Sequence, residues 1–402
     1  MTQPSNPGLQ SPTPPAPLVR QWQLAAVLFL VVWLLCYAWL TQVWTSAGSS
    51  RWLLLSGAAL LHPLWLSRRH LSDNRRRQDS PPLPGFGPGN WLTLLRGLMV
   101  ALMAGFLFND RPAGLLAWLP ALLYTGVTIA DLFDGYLARV ANHATELGAI
   151  LDVETDALSV LLVTGIGIWY GNLPLIFIIL GLARYAFILG QRWRERQEKA
   201  NHPMTDSSFR RIVAGLYMSF LTVMLWPVVH PPGTYVAAAA FSLPFSAIFL
   251  RDWLVVSGSI DPASRSYRQW WNRSARLIAG TLPPLLRLLA AGVIVVWVLD
   301  GFAVDWPGFL GGWAAGLNEF FTILTVLAAL LVLVGIVVHF TAIWLVLVAA
   351  ADILTTTLDP TNSLLLFCGC LLTILGAGRL GLWSPEHKAI FLRRPGQPKN
   401  DS

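Results

Sequence analysis

The stretch from Asp131 to Asp156, DLFDGYLARVANHATELGAILDVETD, carries six of the chain's 21 acidic residues. Read as helix, Asp131 and Asp134 are three residues apart and Asp152 and Asp156 four apart. Both spacings stack side chains on one face about a turn apart. Two such pairs on neighbouring helices would bring four carboxylates to one point. An all-oxygen ligand set suits hard cations such as Mg²⁺ or Mn²⁺. Two such ions would neutralise the cluster and clamp a diphosphate undergoing displacement. Gly135 leaves room for close approach of a ligand or metal. Arg139, one turn along, suits bidentate contact with a phosphate, and Gly148 thins the start of the next helix. Any one of these aspartates alone would read as a loop acid at a helix end; the set carries the chemistry. Glu146 and Glu154 fall outside the pattern, and Glu154 lies roughly 160–200° around the helix from Asp152 and Asp156, on its outer surface. His143, in the connecting turn, reads as a solvated loop side chain.

The elements that must position this cluster are membrane helices. A soluble domain carries about 25% charged residues, whereas this chain of 402 residues is 12% charged and 55% hydrophobic, with 19 Trp suited to the membrane–water interface. A carboxylate at membrane depth costs a few kcal/mol at the low end of the estimates, so acids there are functional by default. Residues 1–20 are Pro- and Ser-rich and read as a disordered tail. Residues 21–80 hold two apolar runs, about 22–44 and 52–66, then the loop SRRHLSDNRRRQDS with five Arg. The Pro/Gly run at 81–89 reads as a linker. Residues 81–260 hold six runs, about 91–109, 113–130, 148–170, 173–192, 211–230 and 234–255. Residues 261–402 hold four more, about 277–299, 318–338, 340–358 and 361–382, with 307–317 re-entrant or interfacial and a basic tail. Each run approaches the roughly 20 residues that cross a hydrocarbon core. The expectation is an all-α polytopic membrane protein of about twelve helices, arranged 2 + 6 + 4.

The Arg-rich loop, the basic connection 191–211 and the segment 262–276 fall on the cytosolic side by the positive-inside rule. That puts the acidic cluster at the cytosolic face of an inner membrane. The net charge of +7 does not imply nucleic acid, because the basic residues interrupt apolar spans. Cys36, Cys368 and Cys370 lie in apolar runs with no metal-type spacing and read as helix packing. Asp300, Asp305, Glu319, Asp352 and Asp359 sit near helix ends, where interfacial solvation accounts for them.

Together, Asp131, Asp134, Gly135, Ala138, Arg139, Gly148, Asp152 and Asp156 spell D-x2-D-G-x2-A-R-x8-G-x3-D-x3-D. This resembles the signature of the CDP-alcohol phosphatidyltransferases, with every signature position filled. Upstream, Asn90, Thr93 and Arg96 in GNWLTLLR are similar to the N-x2-T-x2-R opening of that family's first core helix. The resemblance covers about residues 89–256 and implies a six-helix core flanked by two leading and four trailing helices. It implies that a CDP-linked lipid, usually CDP-diacylglycerol, gives its phosphatidyl group to an alcohol acceptor within the bilayer, releasing CMP. By the same resemblance the four aspartates would hold two Mg²⁺ or Mn²⁺ ions, with Asp152 and Asp156 catalytic and Asp156 the base for the acceptor hydroxyl. Asn90, Thr93, Arg96, Gly135, Ala138, Arg139 and Gly148 would hold the CDP moiety.

An acceptor bearing a phosphate, such as glycerol-3-phosphate or inositol phosphate, would need cations. Arg184, costly in an apolar run, with Arg210 and Arg211 at the start of the fifth core helix, supplies them. The trailing helices are open to lipid binding, homodimerisation or an unrelated activity. Two other classes compete. A transporter would show paired broken helices or a repeat near the midplane, whereas here the polar residues gather at one surface. Another intramembrane metal–diphosphate enzyme, such as an aromatic prenyltransferase, would place two Asp-rich motifs far apart in sequence.

Overall fold

The structure, a computed structural model, describes residues 13–77, 80–204, 208–299, 318–378 and 380–383. The 307–317 segment, the basic tail, Asp300 and Asp305 lie outside the described residues. Among those described there are twelve α-helices, three short 3-10 turns and one isolated bridge between Ile336 and Trp383. Six helices are long and apolar enough to cross a membrane. The chain is an integral membrane protein that divides into two compact units. The first is Met1–Arg184 with Leu221–Pro227; the second is Tyr185–Phe220 with Val228–Ser402.

In the first unit, α1 (Ala16–Val43) starts inside the segment expected to be tail. Pro17 in its first turn pre-sets the helical φ there. Only four of its 28 residues are buried, so it is apolar all round, as a lipid-facing helix is. Its partner α2 (Ser46–Arg69) is longer than its apolar run because its serines are satisfied locally. Ser49 and Ser67 donate to the carbonyls of Thr45 and Pro63 at 3.0 and 2.7 Å. Two indoles of α1 then tie the pair, Trp33 to Ser56 at 2.9 Å and Trp22 to Ser67 at 3.1 Å.

The hub of the unit is α3 (Pro88–Ala104), with 12 of its 17 residues buried, packed against α2, α4 (Leu119–Val140) and α5 (Glu146–Trp169). Trp52 of α2 donates its indole N–H to the Leu102 carbonyl at 3.0 Å, in the space that Gly105 leaves. Helix α3, at 17 residues, is short for a lone span, and α5 carries four acidic residues. Both carry polar residues turned toward protein, so hydropathy alone understates them. The unit closes with the first turns of α6 (Ile178–Arg196) and the end of α7 (Ser208–Met224).

The second unit holds the rest of α6 and α7, with α8 (Gly233–Val256), α9 (Arg265–Leu299), α10 (Asn318–Val334), α11 (Val338–Thr355) and α12 (Pro360–Leu375). Its core packs α12 against α8, α9 and α11 through residues such as Ala290, Leu345, Leu365 and Cys368. Arg287, buried in α9, donates to the Val332 and Ala377 carbonyls at 2.8 and 2.9 Å. It thereby caps the carboxyl end of α10, where a cation is favoured, and ties it to the chain just past α12. Asp352 is not explained by solvation, whereas Asp359 is exposed at its helix end. Asp352 is buried and accepts from Asn362 Nδ2 at 2.9 Å, while Asp359 caps α12 through the Thr361 and Asn362 amides.

Candidate active site

Helix α3 sets three polar residues on one face, Asn90, Thr93 and Arg96, each three positions from the next and all buried. Arg96 is 1% exposed and reaches between α4 and α5. Its Nη2 donates to Asp131 Oδ1 at 2.7 Å and its Nη1 to Asp152 Oδ1 at 2.7 Å; it also pairs with Asp134 and Asp156. The structure therefore brings all four aspartates around one guanidinium. Carboxylate oxygens of Asp131, Asp152 and Asp156 lie within 4.8 Å of one another. Thr93 Oγ1 donates to Asp134 Oδ2 at 3.2 Å, steadying the fourth. Arg96 is thus placed among carboxylates and is not itself among the residues lining the cavity described below, where a nucleotide contact was expected of it. A buried guanidinium must be neutralised where it lies, and the anions of α4 and α5 face it directly.

Four carboxylates against one guanidinium leave three negative charges without a cation among the described residues. Uncompensated charge at partial burial is costly. The site thus has both the oxygen ligands and the charge deficit that fit a divalent cation.

Beside the carboxylates lies a cavity of about 180 Å³. Asn90, Thr93, Gly135, Ala138, Arg139 and Gly148 line it, with Asp134 and Asp152 at its acidic end. Six of the seven residues expected to hold the nucleotide thus share one space, Arg96 being the exception. Arg139 is exposed, and its guanidinium lies over Gly135, 3.2 Å from where a Cβ would be. Close crossing of α3 and α4 depends on Gly89. A Cβ there would meet the Asp134 carbonyl oxygen at 2.9 Å and the Ala138 Cβ at 2.8 Å. Neither can swing aside, so Gly89→Ala should destabilise the protein by about 1–3 kcal/mol, seen as a lower melting temperature in detergent.

Arg184, Arg210 and Arg211 are not among the residues lining this cavity. Arg184, in the first unit, has a buried Nε with no hydrogen-bond partner. Arg210, in the second, pairs with Asp252 at 3.1 Å, and Arg211 is exposed.

Several residues near the site escaped the sequence reading. Thr145 lines the cavity and caps α5, accepting from the Gly148 amide at 3.1 Å. The threonine three residues before Gly148 is an N-cap signal that could have marked it. His143 is half-buried rather than loosely solvated, and its Nε2 bonds the Gly85 carbonyl at 3.1 Å. Glu146 pairs with Arg75 at 3.1 Å. The Pro/Gly run 81–89 is a pinned strap rather than a free linker. Its Leu83 amide donates to the Asn74 carbonyl at 2.7 Å and its Phe86 amide to Gln21 Oε1 at 2.8 Å.

Fold and site together define an all-α integral membrane protein with a partly buried acidic centre opening on a small polar cavity. The family model for CDP-alcohol phosphatidyltransferase matches residues 88–253, from α3 into α8. A CDP-diacylglycerol–glycerol-3-phosphate 3-phosphatidyltransferase of Salmonella choleraesuis is 30% identical over 171 residues, 40% of this chain and 87% of that protein. The Salmonella paratyphi A protein of the same name is 32% identical over 146 residues, 34% of this chain and 76% of that protein. The Rickettsia typhi one is 31% identical over 137 residues, covering 34% and 74%. No solved structure matches. The chain belongs to the CDP-alcohol phosphatidyltransferase family and is a phosphatidyltransferase of phospholipid synthesis. Helices α1, α2 and α9 to α12 lie outside the matched segment.

Proposed function

We propose that the chain transfers a phosphatidyl group from CDP-diacylglycerol to glycerol-3-phosphate, releasing CMP, at the cytosolic face of an inner membrane. The observation that carries this reading is the meeting of four aspartates at the end of a cavity lined by the signature residues. Asp131, Asp134, Asp152 and Asp156 would hold two Mg²⁺ or Mn²⁺ ions. Such ions, when bound, offset the surplus carboxylate charge and draw charge from the diphosphate oxygens.

The chain's own residues account for the rest. Gly135 and Gly148 let the nucleotide approach the backbone of α4 and α5, and Asn90, Thr93 and Ala138 shape the walls. Arg139, with no ion pair among the described residues, is available for a diphosphate oxygen. Asp156 takes the proton of the acceptor hydroxyl. The acceptor oxygen then bonds to the phosphorus bearing diacylglycerol, the bond from that phosphorus to CMP breaks, and CMP leaves with the electron pair. The acceptor's phosphate calls for a cation, and Arg184, with its unpartnered Nε, is the better candidate. Arg210 and Arg211 belong to the second unit, where Arg210 already serves Asp252.

The cytosolic assignment rests on the Arg-rich loop after α2. Asn74 bonds Asn90 at 2.9 Å, so that loop and the cavity lie at the same end of the unit, and such loops stay inside. The relatives' printed activity supports glycerol-3-phosphate over inositol phosphate.

The test is turnover of purified protein with CDP-diacylglycerol and a panel of alcohols, reading CMP release and the lipid product by mass spectrometry. Glycerol-3-phosphate should support CMP release, a chelator should abolish it, and added Mg²⁺ or Mn²⁺ should restore it. Absence of CMP release with every acceptor, with metal present, would defeat the proposal.

A further inference from the structure

The segment between α2 and α3 lies ahead of the matched family region, yet it reaches the cavity through one buried side chain. Asn74 is 0% exposed. Its Nδ2 donates to two backbone carbonyls of the strap, Gly85 at 2.9 Å and Leu83 at 3.3 Å. Carbonyl oxygens only accept, so the amide orientation of Asn74 is set by the main chain. Its Oδ1 is thereby turned to Asn90, from which it accepts at 2.9 Å. Asn90 must then present Nδ2 on that side, where the same nitrogen also donates to Thr145 Oγ1 at 3.1 Å.

The consequence falls on the other end of the Asn90 amide. With both Nδ2 protons committed, its Oδ1 lies over Gly148, 2.5 Å from where a Cβ would be. There it accepts from the Thr145 hydroxyl at 3.3 Å. A carbonyl oxygen has two lone pairs, so one remains for a ligand in the cavity that Asn90 and Gly148 line. The geometry points to Asn74 as a positioning residue that locks Asn90 as an acceptor and thereby selects a base carrying an exocyclic amine. Cytosine offers that N–H donor; uracil offers a carbonyl oxygen in its place. A freely turning Asn90 would serve either base, by Oδ1 or by Nδ2. The α1–α2 extension is thus part of the nucleotide site, and this rests on the proposed use of a CDP-linked lipid.

The experiment is competition binding of CMP and UMP to the full-length protein in Mg²⁺, alongside the turnover ratio for CDP- and UDP-linked lipid. Wild type should prefer the cytidine form, and Asn74→Ala should cut that preference by about tenfold, the size of one buried hydrogen bond. Arg75→Ala breaks the neighbouring contact of the α2–α3 loop with Glu146 and should leave the ratio within about twofold. Should the alanine variant fail to fold, Asn74→Ser also removes the two-ended lock and should show the same fall. An undiminished preference in the Asn74 variant, or an equal fall with Arg75→Ala, overturns the assignment while wild-type transfer stands. Wild type that binds neither nucleotide and releases no CMP overturns the proposed function itself.

Discussion

Asp156→Asn should lower kcat for phosphatidyl transfer by about 10²–10⁴-fold, the range for removing a general base, and leave the metal-free protein at least as stable as its parent. The two expectations come from the same charge count. Asp131, Asp134, Asp152 and Asp156 share one guanidinium, so without metal the wild-type centre holds three surplus negative charges. An amide at 156 reduces that to two and keeps the side-chain size. Fixed stability with lost turnover is what a site strained for function shows. The measurements are CMP release under saturating metal and a thermal melt in chelator. A fall in melting temperature of several degrees alongside the lost activity would make Asp156 a structural partner of Arg96 and remove it as the base.

The same residues show why part of the site was readable from the chain. Asp131 to Asp156 is legible because its order comes from helical periodicity and one tight turn, both local. Spacings of three and four hold on any helix, so the carboxylates' common face needed no tertiary knowledge. The apolar runs were legible for a similar reason, and about twelve were expected where twelve α-helices stand among the described residues. Their ends were not. The start of α2 reads as polar because hydropathy scores the serine hydroxyl and not the carbonyl four residues back that satisfies it.

Residues whose meaning lies in distant partners stayed hidden. Asn74 gives no signal in an Arg-rich loop, since its importance depends on the carbonyls of Leu83 and Gly85 and on Asn90. Arg287 is one more cation in an apolar helix until the carboxyl end of α10 and the chain just past α12 appear beside it. Arg96 was legible as a site residue from its motif, but its target was not. Nothing in N-x2-T-x2-R says whether the guanidinium faces a nucleotide phosphate or the protein's own carboxylates. That choice is made by how closely α3 crosses α4, and Gly89 sets the crossing.

Arg96→Met should separate these roles of charge and packing. Methionine fills much the same channel with an unbranched chain and carries no charge. In chelator the variant leaves four carboxylates facing one another with no cation, at a cost below the roughly 3–5 kcal/mol of a fully buried pair because Asp131, Asp152 and Asp156 are partly exposed. The melting temperature should fall accordingly. Divalent cations should reverse most of that loss. Arg96 occupies the carboxylate oxygens that a metal would use, so its removal takes away a competitor as well as a counterion. Metal affinity should rise in the variant, and stabilisation by a ligand grows with its concentration over Kd. A titration with Mg²⁺ or Mn²⁺ followed by melting should therefore start lower for Arg96→Met, climb more steeply and converge on the wild-type curve. Parallel curves, equally separated at zero and saturating metal, would mean that Arg96 acts by packing alone and that the carboxylates hold no divalent ion in its place.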